Sequence, residues 1–136
     1  MCIKHNGHKY IANAGDIYIL KRGAEIEYHT FGKEKVTKLW FNMKGTLIDK
    51  LRTVYNLDED VIVATADVEK DFYDIHLLFQ TKICSFELTR QMSLNIHNLL
   101  MKVSVAAKKS NIIFEPSCEL AEKVKNYIDS KLYYYT

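Results

Sequence analysis

Turn-forming residues recur at short, even intervals through the first third of the chain and then stop. Gly7, the Asn13–Asp16 stretch, Arg22–Ala24 and Gly32 each interrupt a short run rich in β-branched and aromatic residues. The runs are His8–Ala12, Ile17–Leu20, Ile26–Thr30 and Val36–Met43. Strands of that length, separated by turns at that spacing, predict an antiparallel sandwich or barrel. Side chains alternate between the two faces of a strand. Ile26, Tyr28 and Thr30 therefore share one face, with Glu27 and His29 on the other. Val36, Lys38, Trp40 and Asn42 share a face, and Thr37, Leu39, Phe41 and Met43 share the opposite one. Because this last run is apolar on both faces near its middle, it is expected to be covered on both, by a barrel interior within and by helices without.

Beyond Gly45 the period changes to that of a helix. Leu47, Ile48, Leu51, Val54 and Tyr55 form one stripe, ended by Asn56 and the acidic Asp58–Asp60 cluster. Val61–Ala64 reads as a short extended segment. Asp67 is expected to cap a helix whose stripe is Val68, Phe72, Ile75 and Phe79. A longer helix is expected from about Ser85 to Lys108. Along it Met92, Ile96, Leu99, Val103 and Ala106 recur in alternating steps of four and three, a coiled-coil-like seam. Leu94, Leu100 and Ala107 lie off that seam, so one face can serve the core and another a partner. A polar break at Lys108–Asn111 and an extended Ile112–Glu115 precede Pro116 and Ser117, which open a last helix near Cys118–Tyr133 with the stripe Leu120, Val124, Tyr127, Ile128 and Leu132.

A chain of 136 residues, 48% of them apolar, suits one domain with a sizeable core. A formal charge of only +2 marks neither a nucleic-acid-binding face nor a polybasic membrane anchor. Cys2, Cys84 and Cys118 are far apart and odd in number, which fits a reducing cytoplasm. Cys84 and Cys118 are expected to be small core residues. No apolar run reaches the ~18 residues of a membrane span, and the polar start Met1–Gly7 is not that of a signal peptide.

The order of motifs resembles a known family. Ala14-Gly15-Asp16 followed by Ile17–Leu20, then Gly23, then Glu27-Tyr28, is similar to the cupin-like sensor of AraC/XylS-type transcription regulators, with Ala14 and Arg22 where the family usually has prolines. Trp40–Gly45 is similar to the family's Trp-Ile-x-Phe-x-Gly at the end of the last barrel strand, with Met43 replacing the aromatic. Leu120, Val124 and Tyr127-Ile128 resemble the first helix of the family's DNA-binding domain. The resemblance implies an α+β chain, mainly β then α: a cupin-like antiparallel barrel or sandwich, then two or three helices including a coiled-coil-like dimerisation helix. It divides the chain into a sensor and dimerisation domain at 1–110 (strands in 1–45, helices in 46–110), then a linker and the first helix of a helix-turn-helix domain at 111–136. The family's sensor normally has strands ahead of the one opening near Ile3. Two helix-turn-helix units would follow Thr136, so DNA contact is expected only through a C-terminal domain that this chain lacks.

The residues themselves favour a binding pocket over a reaction centre. Tyr28, Lys38 and Trp40 would converge on the barrel interior, where an aromatic face, a hydroxyl and a cation suit a sugar or other small polar metabolite. By resemblance, sugar-responsive members use side chains at these three positions, with Lys38 in place of a His. Trp40 serves equally well as core, and Lys38 as a residue at the barrel mouth. Met92, Ile96, Leu99 and Val103 are the expected homodimer interface, with intramolecular core as the alternative for the same stripe. No catalytic residue, metal site or cofactor is expected. His5 and His8 are split by the Asn6-Gly7 turn, no His-x-His pair exists, and His5, His8 and His29 read as solvated. No nucleophile elbow or glycine-rich phosphate loop occurs. The alternatives are a stand-alone cupin metalloenzyme (isomerase or dioxygenase), which would need three or four convergent ligands, and a purely structural dimerisation module.

Overall fold

The computed structural model describes residues 1–33, 35–110 and 123–128. The expected linker, the start of the last helix and Cys118 lie outside the described residues. Within that last segment, residues 123–128 are helical.

The N-terminal half is built from antiparallel pairs. Strands β1 (Cys2–His5) and β2 (His8–Ile11) form a hairpin in which His5 faces His8. Asn6 and Gly7 both have positive φ, 47° and 76°. Those signs define the type I′ turn, whose twist matches that of the flanking strands. The next strands are β3 (Asp16–Leu20) and β4 (Glu27–His29). β4 joins the free edge of β1, with Ile3 opposite Tyr28, giving the sheet order β2-β1-β4. β3 pairs instead with β5 (Val61–Thr65), which comes after the first helix, α1 (Thr46–Val54). The chain ends its described core with α2 (Glu69–Gln80) and α3 (Ser85–Ser110).

The mixed α+β class and the strands-then-helices order agree with expectation, but no closed barrel forms. Two small sheets stack instead, and the β3–β5 ribbon is the middle layer. Its register places Ile17 opposite Ala64 and Ile19 opposite Ile62 on one face. These meet Leu51, Leu57, Val68, Ile75, Leu99, Leu100 and Val103 of the helical layer. On the other face Tyr18 is opposite Val63 and Leu20 opposite Val61, and these meet Ile3, Ala12 and Ile26 of the first sheet. Two-sided burial explains the nearly continuous apolar runs Ile17–Leu20 and Val61–Ala64.

The role of doubly covered strand was expected for Val36–Met43, and there the structure differs. Residues 35–44 form no regular element. Phe41 and Met43 pack against the helical core, with the Phe41 and Phe72 rings 5.0 Å apart. Val36, Leu39 and Trp40 face solvent. The segment has no strand beside it to complete a ladder, and the β3–β5 ribbon already fills the layer between sheet and helices. Only one end of it can therefore be buried.

The helices largely follow their periodicity, with local corrections. α1 begins after Gly45, whose φ of 124° is readily available only to glycine, and it ends before Asn56, in the left-handed region at φ 55°. Leu51 is buried, but Leu47 and Val54 are exposed. The α2 cap is Val68 rather than Asp67, with no side-chain hydrogen bond. Burial of Val68 in the core sets that start. Ile75 is buried as expected, but Leu78 is buried in place of Phe79, which is exposed. Cys84 is exposed rather than core, because it lies in the connection just before α3, where its carbonyl accepts the Leu88 N–H at 2.9 Å. His8 and His29 are solvated as expected, but His5 is buried.

Polar contacts fix how α3 sits. Asp71 of α2, 7% exposed, accepts from Asn98 Nδ2 and Lys102 Nζ of α3, both at 2.8 Å. Ser104 Oγ donates to the Tyr55 carbonyl at 2.6 Å. The seam itself is core: Leu99 and Val103 keep 2% and 1% exposure in the single chain, while Leu94 on the opposite face of the helix keeps 57%. Urea denaturation at a concentration where the chain is monomeric should therefore show Leu99→Ala costing about 2 to 5 kcal/mol, and Leu94→Ala within about 0.5 kcal/mol of the unmodified chain. Equal losses for the two would mean that α3 docks by a different face.

Candidate functional site

The first sheet presents Tyr28 to the gap between the two sheets. Side chains of directly paired residues share a face, and Tyr28 is paired with Ile3, which is fully buried against the β3–β5 ribbon. Ile26, two residues before Tyr28, packs into the same inner layer. Since β4 is an edge strand of only three residues, Tyr28 stops at the rim and remains 48% exposed. Partial burial pushes the Tyr28 phenol above its ordinary range, with a smaller contribution from Tyr18. The hydroxyl is thus held as a hydrogen-bond donor.

Lys38 reaches the same place from the irregular 35–44 segment. Its ammonium lies 5.0 Å from the centroid of the Tyr28 ring. At that distance a cation is attracted by the negative face of the ring. Tyr28 and Lys38 therefore form a small polar-aromatic rim at the edge of the first sheet. Trp40 does not join them. It is 74% exposed, and no ring contact or hydrogen bond links it to either residue among the described residues. The inward orientation expected of the row Val36, Lys38, Trp40 and Asn42 is corrected for the same reason as the strand: no sheet holds the row in alternation. Strand alternation and the family resemblance had grouped Tyr28, Lys38 and Trp40; the structure brings the first two into contact.

The expected interface residues have another place. Leu99 and Val103 are inside the chain's own core, so they offer no surface to a partner. Met92 and Ile96 are partly buried against that core. They also line an apolar cleft of about 290 Å³ that sequence reading missed, between α1, the end of α2 and the first half of α3. Leu47, Phe79 and Leu88 form its other walls. At the cleft wall, His97 Nδ1 lies 3.2 Å from the Tyr55 hydroxyl. The signal was present in the sequence as Leu47 and Phe79, which belong to core-like stripes yet have no opposing layer. The outer face of α3 carries Leu94, Met101 and Val105, all about half-exposed.

Among the described residues, no three His, Cys, Asp or Glu side chains converge as metal ligands would, and no helix is long and apolar enough to cross a membrane. No protein-family model, curated protein or solved structure matches the chain.

The rim should be separable from the fold. Lys38→Met keeps most of the stem and removes the ammonium. A cation–π contact at an exposed site contributes about 0.5 to 1 kcal/mol, so chemical denaturation should register a loss no larger than that. A larger loss would make Lys38 a structural residue rather than an available one.

Proposed function

We propose that this chain is the effector-sensing and dimerisation part of an AraC-type transcription regulator. A small polar metabolite such as a sugar binds at the Tyr28–Lys38 rim, a second copy of the chain pairs through the helical layer, and DNA contact belongs to a helix-turn-helix domain beyond the sensor. The observation that carries this reading is the contact between the Lys38 ammonium and the Tyr28 ring at the edge of the first sheet. An aromatic face offers a sugar's C–H groups an apolar platform, while an ammonium and a phenol donate to its oxygens. The strands-then-helices order supports the same reading.

Coupling has a physical route. Lys38 is three residues before Phe41, and Phe41 packs on Phe72 of α2. An effector that binds Lys38 differently in two arrangements of the 35–44 segment would bias how Phe41 engages the helices. The pairing surface is the outer face of α3, at Leu94, Met101 and Val105, because the seam behind it is occupied. The absence of a closed barrel favours one further reading, a dimerisation module that holds no effector.

Calorimetric titration of the chain with a panel of pentoses, hexoses and uronic acids tests the proposal. At least one should bind the unmodified protein. Tyr28→Phe and Lys38→Met should each weaken that sugar by about 0.5 to 3 kcal/mol. Binding by none of the panel, or affinity unchanged in both variants, leaves the dimerisation module. Sedimentation tests the second half. The unmodified chain should be dimeric at micromolar concentration, and Leu94→Glu should give folded monomers. A monomeric unmodified chain removes dimerisation from the proposal.

A further inference from the structure

His5 is the last residue of β1 and is 9% exposed. Both of its ring nitrogens face acceptors from other parts of the chain. Nδ1 lies 3.0 Å from the Glu25 carbonyl, in the connection between β3 and β4. Nε2 lies 2.9 Å from Asp60 Oδ2, immediately before β5. A neutral imidazole has one N–H and one lone pair, so it can satisfy only one of these acceptors and must turn its lone pair on the other. The doubly protonated ring donates to both. The Asn6 side-chain nitrogen, Nδ2, lies 3.3 Å from Nε2; an amide nitrogen only donates, so a protonated ring calls for the amide turned over, with its oxygen toward Nε2.

The charged groups around the ring come from each element packed near it. Asp60 approaches from the β5 side. Lys21, just after β3, holds the other carboxylate oxygen of Asp60 at 3.4 Å and donates its backbone N–H to the Asp60 carbonyl at 2.9 Å. His8 of β2 is the cross-strand neighbour of His5 and is solvated. Lys4 and Glu27 are paired on the adjacent step of β1 and β4. Among the described residues, Asp60 is the carboxylate that pairs with the ring, and that same carboxylate also engages Lys21.

We propose that protonated His5 is a pH-set latch: it holds the 21–26 connection, and through it the start of β4 with Tyr28, against the entry of β5, and it releases that connection when the ring loses its proton. The electrostatics agree in direction. The Glu25 carbonyl, and next the Asp60 side chain, raise the His5 pKa above its ordinary 6.5. His5, and next Lys21, lower that of Asp60 below its ordinary 3.8. A raised folded-state value means that the His5 contribution is complete below 6.5 and is lost as pH rises through the higher folded value. The lowered Asp60 value means that its contribution is present above 3.8 and is lost as pH falls through the lower folded value. The latch is closed between those limits. It needs no effector, and so it stands or falls independently of the sensor reading.

Ring-proton NMR of the full chain, with His5 assigned by the signal missing in His5→Gln, reads the proton directly. His5 should titrate above the ordinary 6.5 of an imidazole, and Asp60→Asn should bring it down. Hydrogen exchange, corrected for the intrinsic effect of pH, reads the connection. Protection of amides 22–27 should fall severalfold from mildly acidic to mildly alkaline pH in the unmodified chain. It should stay flat in His5→Gln. If His5→Gln does not fold, Asp60→Asn supplies the comparison, because Asp60 is 42% exposed. A His5 that titrates at or below 6.5, or a connection equally protected across the range, overturns the latch.

Discussion

Everything in this molecule is referred to a two-stranded ribbon buried on both faces. β3 and β5 pair across a long separation in sequence, and each contributes one apolar row to the helices and one to the first sheet. Neither neighbouring layer is self-sufficient. The first sheet is three short strands with one apolar side, and α1, α2 and α3 present stripes that need a surface to meet. A short hairpin or a single amphipathic helix is marginal alone in water. The ribbon supplies the missing apolar surface to both. It also fills the place that a doubly covered strand at 36–43 would have taken.

That displacement explains the character of the candidate site. With the middle layer occupied, residues 35–44 run as a strap from the rim to the helical layer. One end carries Lys38 to the Tyr28 ring and the other seats Phe41 on Phe72. A segment held by side chains at its two ends, without a backbone ladder, has less to lose in moving than a strand does. Rim and helices are thereby joined through an element without a backbone ladder.

Specificity of assembly rests on a few buried polar contacts placed where apolar packing alone would be indifferent. An α3 docked only by its stripe could slide by a turn. Asp71 bonded to Asn98 and Lys102, and Ser104 bonded to the Tyr55 carbonyl, admit one register, because a shift would strand a buried carboxylate. His5 does the same for the other end of the molecule, tying two connections to the end of β1. The difference is that a histidine bond of this kind depends on pH.

The sequence by itself determined what depends on neighbours along the chain. The Asn6-Gly7 hairpin, the short strands, the end of α1 at Asn56, the extended Val61–Ala64 run and the span of α3 all follow from turn chemistry and period. Alternation grouped Tyr28, Lys38 and Trp40, but only Tyr28 and Lys38 meet. Tertiary structure decided which apolar row meets which. Period tells that Met92 to Ala106 is a stripe but not whether a partner or its own chain covers it, and the competition was settled by α2, β5 and α1 reaching it first. Alternation marks Val36–Met43 as apolar on two faces, yet being a strand requires an adjacent backbone edge, and β3 found that edge in β5. His5 looked like a loop residue because its acceptors, Glu25 and Asp60, are distant in sequence. A side chain's environment is set by what folding brings to it, and no local pattern in the chain encodes that.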